Sequence, residues 1–401
     1  MNGSIFDKAI FIPDHVLSVM ERIRENGHEA YIVGGCVRDS LLGSAPHDYD
    51  MTVSCPPERT LEIFSDMRTI PTGLKHGTVT VISDGQPLEL TTFRVDGSYS
   101  DSRRPNSVSF TRRIEDDLAR RDFTVNAMAY SPRSGLIDLF GGKDDLSSGI
   151  IRAVGDPETR FSEDALRIMR AFRFSAQLSF SIDEKTLMGA EKCRQGLGNI
   201  ARERIGVEFI KLLCSKDPAP VLAQMRDCGI LEYASCGYIP DDRILSLLEK
   251  MPDGDIPRLG LYLSGTDREG GSAVLNGLRC SNHQKSGALA IVEWSKRKIQ
   301  APADATRLRG ALGELAPYAI RASVLLGISD ESAVALVEKN NSPSRICDLA
   351  INGADLAALG IKGRDTGLTL KYLLDQVIEA PELNSRGTLM ELAKKHLEKG
   401  E

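Results

Sequence analysis

Tyr31-Ile32-Val33-Gly34-Gly35-Cys36-Val37-Arg38-Asp39-Ser40-Leu41-Leu42-Gly43, followed by Asp48-Tyr49-Asp50-Met51-Thr52-Val53, decides the fold of this chain. Ala30–Val33 is a short apolar run and reads as a strand. It runs into Gly34-Gly35, after which residues 36–42 read as a helix stopped by Gly43. Residues 48–53 then alternate as a strand does. The period of two would put Asp48 and Asp50 on one face, with Tyr49 and Met51 on the other.

Upstream, residues 13–26 carry Val16, Leu17, Met20 and Ile23 at helical spacing, and Gly27 ends the run. Downstream, residues 78–82 and 88–93 read as strands around an Asp84-Gly85 hairpin turn. The first ~150 residues are therefore α/β, about the size of one domain. After Ile151 strand patterns nearly vanish. Helical stretches are expected at 162–177, 183–195, 201–215, 218–228, 241–250, 283–297, 303–314 and 331–339, then near 366–379 and 386–398. Pro218, Pro220 and residues 340–344 mark candidate joints.

Composition narrows the class. The 401 residues carry a formal charge of -6, which argues against a protein that coats nucleic acid or anionic membrane through bulk positive charge. The N-terminus lacks a signal-peptide pattern, and no apolar run reaches the ~18 residues of a membrane span. Eight scattered cysteines without Cys-x-x-Cys read as reduced thiols of a cytoplasmic protein. Six histidines with no His-x-x-x-His, and a single His-Asp step at His47-Asp48, point away from a histidine-built metal site.

Chemistry concentrates on the acids. Glu89 stands between Leu88 and Leu90 on a later strand; if that strand neighbours the Asp48/Asp50 strand, three carboxylates converge. Such a cluster repels itself unless it holds divalent cations, and Mg²⁺ commonly bridges carboxylates to nucleotide phosphates. Two such ions can activate an attacking hydroxyl and stabilise a leaving pyrophosphate. Asp-x-Asp alone also describes an ordinary solvated strand face. The upstream Gly34-Gly35 turn admits a phosphate close to the backbone, and Arg38 in the next helix turn can reach a triphosphate as a bidentate donor. No Gly-x-x-x-x-Gly-Lys loop and no dinucleotide fingerprint is present, so ATPase and dehydrogenase readings lose support. A glycine turn, two aspartates and a third acid suit nucleotidyl transfer.

These residues resemble the first motif of the class II tRNA nucleotidyltransferases (CCA-adding enzymes) and bacterial poly(A) polymerases. Arg120-Arg121-Asp122-Phe123-Thr124-Val125-Asn126-Ala127 is similar to their ribose-selecting motif, and Glu163-Asp164-Ala165-Leu166-Arg167, continuing to Arg170 and Arg173, to their amino-acid template. Arg202-Glu203-Arg204-Ile205 through Glu208 resembles the helix that supports that template. Residues 349–356, with Gly360, Gly363 and Gly367, resemble the tail of the Gram-positive-type enzymes. His47 departs from the lysine common before the first aspartate, and the histidine-rich hydrolase domain of another bacterial branch has no counterpart.

The resemblance implies an α/β nucleotidyltransferase-fold head with a small mixed sheet (1–148), followed by an all-α neck (149–216), body (217–342) and tail (343–401). It implies Asp48 and Asp50 as ligands of two Mg²⁺ ions and Glu89 as third catalytic carboxylate. Gly34, Gly35, Arg38, Arg121, Asp122, Asn126, Asp164, Arg167 and Arg170 are the implied nucleotide-binding residues, with Arg121 and Asp122 matched to the ribose 2′-OH. The segment 94–106, with Arg94, Asp96, Tyr99, Asp101 and Arg104, is matched to a flexible loop linked to the switch from C to A addition. The implied partners are CTP, ATP and tRNA, with no membrane and no stable protein partner.

Physical chemistry gives the template its own rationale. Asp164 and Arg167 are three apart and are expected on one helix face. A carboxylate only accepts hydrogen bonds and a guanidinium only donates them. The pair complements the amino-donor and ring-acceptor edge shared by cytosine and adenine, and leaves guanine and uracil with unpaired polar groups. An ordinary ion pair, including Glu163 with Arg167, satisfies the same spacing. Residues 160–211 carry a net charge of +3, a modest basic face for RNA. An A-adding enzyme, a poly(A) polymerase and a catalytically silent RNA-binding protein remain alternatives.

Overall fold

Three of the four residues of β1 (Ala30–Val33) are buried, so both faces of the strand are covered. It lies inside a mixed sheet in the computed structural model, which describes residues 10–97 and 108–398. The other strands of that sheet are β2 (Asp50–Val53), β3 (Thr69–Gly73), β4 (Thr78–Ser83), β5 (Gln86–Thr92), β8 (Met128–Ser131) and β9 (Gly135–Asp138). A separate two-stranded ribbon, β6 (Arg94–Asp96) with β7 (Val108–Phe110), precedes the last two. The order is β3-β4-β5-β2-β1-β8-β9, with β2 and β5 parallel and the remaining neighbours antiparallel. The parallel register sets Asp50 directly opposite Glu89, so the two acidic strands are neighbours.

Helices cover the sheet because their apolar stripes face it. α1 (Asp14–Glu25) buries Val16, Val19, Met20 and Ile23, a 3.6-residue pattern. α2 (Gly35–Leu41) follows β1 directly, and α3 (Pro57–Ile63) follows β2. Ile114 and Leu118 of α4 (Ile114–Ala119) pack with Tyr31, Val33, Phe93 and Ala129. After α5 (Gly142–Ser148), a two-residue strand β10 (Ile150–Ile151) pairs in parallel with β11 (Ser181–Ile182).

Between them lies the first departure from expectation. The single helix expected at 162–177 is two: α6 (Pro157–Glu163) and α7 (Leu166–Leu178). Asp164 sits between them at φ -140°, ψ 101°, and its Oδ1 accepts the Leu166 N–H at 3.0 Å. A short acidic side chain that bonds nearby backbone favours such breaks over helix interiors. α7 is anchored by Ile168, Met169 and Phe172, all fully buried, each worth roughly 2 kcal/mol of apolar burial. α8 (Glu184–Cys193), α9 (Arg202–Leu213), α10 (Pro218–Asp227) and α11 (Leu231–Ala234) complete this unit, which ends at Ile239.

The unit from Pro240 onward is helical among its described residues. It contains α12 (Asp242–Leu247), α13 (Asp255–Tyr262), α14 (Arg268–Gly277), α15 (Asn282–Trp294), α16 (Pro302–Leu312), α17 (Ala316–Leu325) and α18 (Ser332–Glu338). α13 escaped the sequence pattern because it is buried from Ile256 to Tyr262, and a helix covered all round has no one-sided stripe to read. A Cβ on Gly260 would stand 2.7 Å from Ile291, so glycine lets α13 and α15 approach closely. α19 (Gly353–Ala358), α20 (Arg364–Glu379) and α21 (Arg386–Glu398) enclose a small core of Leu356, Leu370, Leu373, Val377 and Leu389.

Candidate active site

Gly34 holds φ 78°, ψ -128°, a conformation that any residue with a Cβ adopts under strain. A Cβ there would also lie 3.2 Å from Nη1 of Arg121. The Gly34-Gly35 turn is thus a bare stretch of backbone with a guanidinium against it. Asp48 and Asp50 follow α2, both exposed. Strand β2 begins only at Asp50, so Asp48 lies before the strand and the two do not share a face through strand periodicity. They are nonetheless neighbours electrostatically. Desolvation raises the Asp50 carboxyl above the usual range, Arg121 opposes that shift and Asp48 adds to it.

The side chains of Asp48, Asp50 and Glu89 make no hydrogen bond or salt bridge with a described residue. Among the described residues no three His, Cys, Asp or Glu side chains group closely enough to hold a metal ion. The expected three-acid cluster therefore reduces to the Asp48/Asp50 pair, with Glu89 beside Asp50 across the sheet. The pair suits Mg²⁺, which takes one or two carboxylates and draws its other ligands from water and substrate phosphates.

Behind these acids the charge balance changes. Arg38 donates from Nη1 to Oδ1 of Asn126 at 2.7 Å and pairs with Asp39 at 2.7 Å. Asn126 donates to Oδ1 of Asp122 at 3.2 Å, and Arg170 donates from Nε to Oδ2 of Asp122 at 2.7 Å. Asp122 and Asn126 are both buried. Burial raises the Asp122 carboxyl, but Arg170 and the Asn126 amide bring it below the usual carboxylate range. The sequence places Arg38, the Asp122/Asn126 motif and Arg170 far apart; the fold strings them into one chain of contacts.

Asp164 lies in the helix break and Arg167 in the first turn of α7. Oδ2 of Asp164 accepts from Arg204 on α9 at 3.0 Å. Arg167 donates from Nη1 to Glu163 at 2.6 Å and from Nη2 to the Arg120 carbonyl at 3.0 Å. The expected shared helix face is not present, and each residue has its own fixed partner. Arg173 pairs with Glu208 of α9 at 2.5 Å, so α9 braces both ends of the segment from Asp164 to Arg173.

Asp117 and Thr52 were not singled out in the sequence. Asp117 is fully buried on α4; its Oδ1 accepts from Arg120 at 2.8 Å and its Oδ2 from Arg121 at 3.2 Å. The Thr52 hydroxyl, two residues after Asp50, reaches the same Oδ2 at 3.2 Å. Burial raises this carboxyl as well, and Arg120 and Arg121 together outweigh it and lower its pKa. The legible signal was the i,i+3 and i,i+4 spacing of Asp117 to Arg120 and Arg121. In the loop region, Arg94 and Asp96 form β6, and Arg94 donates to the His76 carbonyl. Tyr99, Asp101 and Arg104 lie outside the described residues.

A mixed-sheet head, open carboxylates after a Gly-Gly turn and an arginine-lined helix define a nucleotidyltransferase. Family models agree: residues 30–152 match the poly A polymerase head domain, and residues 179–234 match the probable RNA and SrmB-binding site of polymerase A. The CCA-adding enzyme of Ligilactobacillus salivarius is 37% identical over 96% of this chain and 98% of its own length. That of Limosilactobacillus fermentum is 39% identical over 94% and 95%. The crystal structure of the Bacillus stearothermophilus CCA-adding enzyme in complex with CTP superposes with a TM-score of 0.83 and 29% identity, covering 98% of each chain. This chain belongs to the CCA-adding enzyme family of nucleotidyltransferases, which normally use divalent metals.

Proposed function

We propose that this protein adds C, C and A to the 3′ end of tRNA from CTP and ATP without a nucleic-acid template, releasing pyrophosphate. The observation that carries the reading is the exposed Asp48/Asp50 pair, with Arg121 acting on Asp50, in a chain of which 98% matches the CTP-bound Bacillus structure. Asp48 and Asp50 would hold two Mg²⁺ ions, which when bound lower the pKa of the attacking 3′-hydroxyl and stabilise the leaving pyrophosphate.

The remaining work falls to positioning and electrostatics. Gly34 and Gly35 clear the approach of the phosphates, while Arg38 and Arg121 supply fixed positive charge along it. Asp122 and Asn126 order the ribose side, and Glu89 adds negative field beside Asp50. Asp164 and Arg167 accept and donate toward the base, and Arg170 closes that side. The head 1–148 would carry catalysis and the neck 149–216 selection. The body 217–342 and tail 343–401 would hold tRNA by shape and phosphate contact. With eight cysteines outside any disulfide and tRNA as substrate, the protein would act in the cytoplasm.

The experiment is single-nucleotide incorporation on tRNA ending at the discriminator base, at CC, or at CCA. Two C residues on the first, one A on the second and nothing on the third are expected. The match of residues 30–152 to a poly A polymerase head gives the competing outcome its weight: open-ended A tails would establish a polymerase instead. Failure to add C to the first substrate would overturn the reading in favour of A addition alone. Absence of pyrophosphate with every substrate would leave an RNA-binding protein.

A further inference from the structure

Phe174 on α7 is buried, and three guanidiniums gather on its ring: Arg173 at 4.0 Å, Arg38 at 5.1 Å and Arg170 at 5.2 Å from its centroid. Like charges this close repel, so something must set their spacing. The ring does so from within, because its π faces attract cations at these distances. Carboxylates and an amide complete the frame. Arg173 is held by Glu208, Arg170 by Asp122 and Arg38 by Asn126. The ring itself is held by Phe123, edge-on at 5.9 Å and 81°. Consecutive residues Asp122 and Phe123 thereby fix, respectively, one arginine and the ring on which it rests.

Arg38 stands on α2, beside the Gly34-Gly35 turn, whereas Arg170 stands on the helix that carries Arg167. The Phe174 ring lies within cation–π distance of both guanidiniums. We propose that Phe174 is a positioning residue for nucleotide selection: it locks the phosphate-side Arg38 to the base-side Arg170, so that a misfitting base displaces the phosphate grip. This rests on the nucleotide-adding reading above. Without the ring, the two arginines keep their charges but lose their common seat, and a wrong base no longer misaligns the triphosphate. Selection then weakens more than turnover does.

The test compares Phe174→Leu, Phe174→Met and Phe174→Tyr in the full chain. CTP and UTP incorporation is measured in single turnovers on tRNA ending at the discriminator base, alongside thermal unfolding. The Leu and Met variants should show a raised KM for CTP, a kcat within about threefold of the parent, and a CTP-over-UTP preference lowered about tenfold, the scale of one cation–π contact. Phe174→Tyr, which keeps the ring, should restore the preference. An unchanged preference in a folded Leu or Met variant overturns the proposal, as does equal loss in the Tyr variant. Should Phe174→Leu unfold, Phe174→Met and Phe174→Tyr still decide it. A parent enzyme that adds no C at all would instead refute the underlying function.

Discussion

Asp48 and Asp50 belong to the same head as Asp117 and Asp122, yet the two pairs of acids live in opposite environments. Asp48 and Asp50 are exposed and make no ion pair with a described residue, and Asp50 is pushed upward by desolvation and by its neighbour. Asp117 and Asp122 are buried, each answers at least one guanidinium, and both are pulled down in pKa. The difference separates two jobs. Open carboxylates are available to a cation and its nucleotide, and buried ones keep arginines aimed.

The sharpest way to break that comparison is to neutralise each kind. Asp50→Asn or Asp48→Asn should reduce nucleotide incorporation by about a thousandfold or more, since two-metal chemistry loses a ligand. Stability should hold or rise slightly, because a like-charge repulsion is removed. Single-turnover incorporation and urea unfolding report both; near-parent activity would end the metal assignment.

Asp117→Ala should do the reverse of this on stability. Removing the buried carboxylate breaks its pairs with Arg120 and Arg121, at a cost of about 3–5 kcal/mol in urea unfolding. The pH profile carries the same sign. Because the folded pKa of Asp117 lies below its unfolded value near 3.9, its stabilisation is present above that value and fades as pH falls through the folded pKa. Asp117→Asn should therefore flatten the loss of stability below about pH 4, measured by unfolding from pH 6 to pH 2.

A smaller effect is expected at Arg204, which is partly exposed and holds Asp164. Arg204→Ala should leave the fold intact and free the Asp164 carboxylate, lowering selection of C over U by about tenfold with a lesser change in kcat. Incorporation from single nucleotides measures it, and unchanged selectivity would show that Asp164 needs no brace.

Much of the fold was readable. The β1–Gly34–α2 unit, the hairpin of β4 and β5, and most later helices follow from period and glycine placement, which are local properties. β8 and β9 went unread because each is four residues long and broken by Ser131, or by Gly135 and Asp138, so neither gives the unbroken apolar run that marks β1. The break at Asp164 was invisible in a run that otherwise keeps a helical pattern, since a single side-chain bond to Leu166 decided it. At the site, the residue types were legible but their partners were not.

By itself the sequence determined that this chain carries an α/β head with paired acids after a Gly-Gly turn, a helical remainder, and the ordered motifs of a nucleotide-adding family. Tertiary structure alone decided that Asp50 faces Glu89, that Arg38 reaches Asn126, that Asp122 answers Arg170, and that Phe174 seats three arginines. The physical reason is reach. Periodicity and turn chemistry act over a few neighbouring residues, whereas an ion pair between residues 48 positions apart exists only once the sheet and helices have packed.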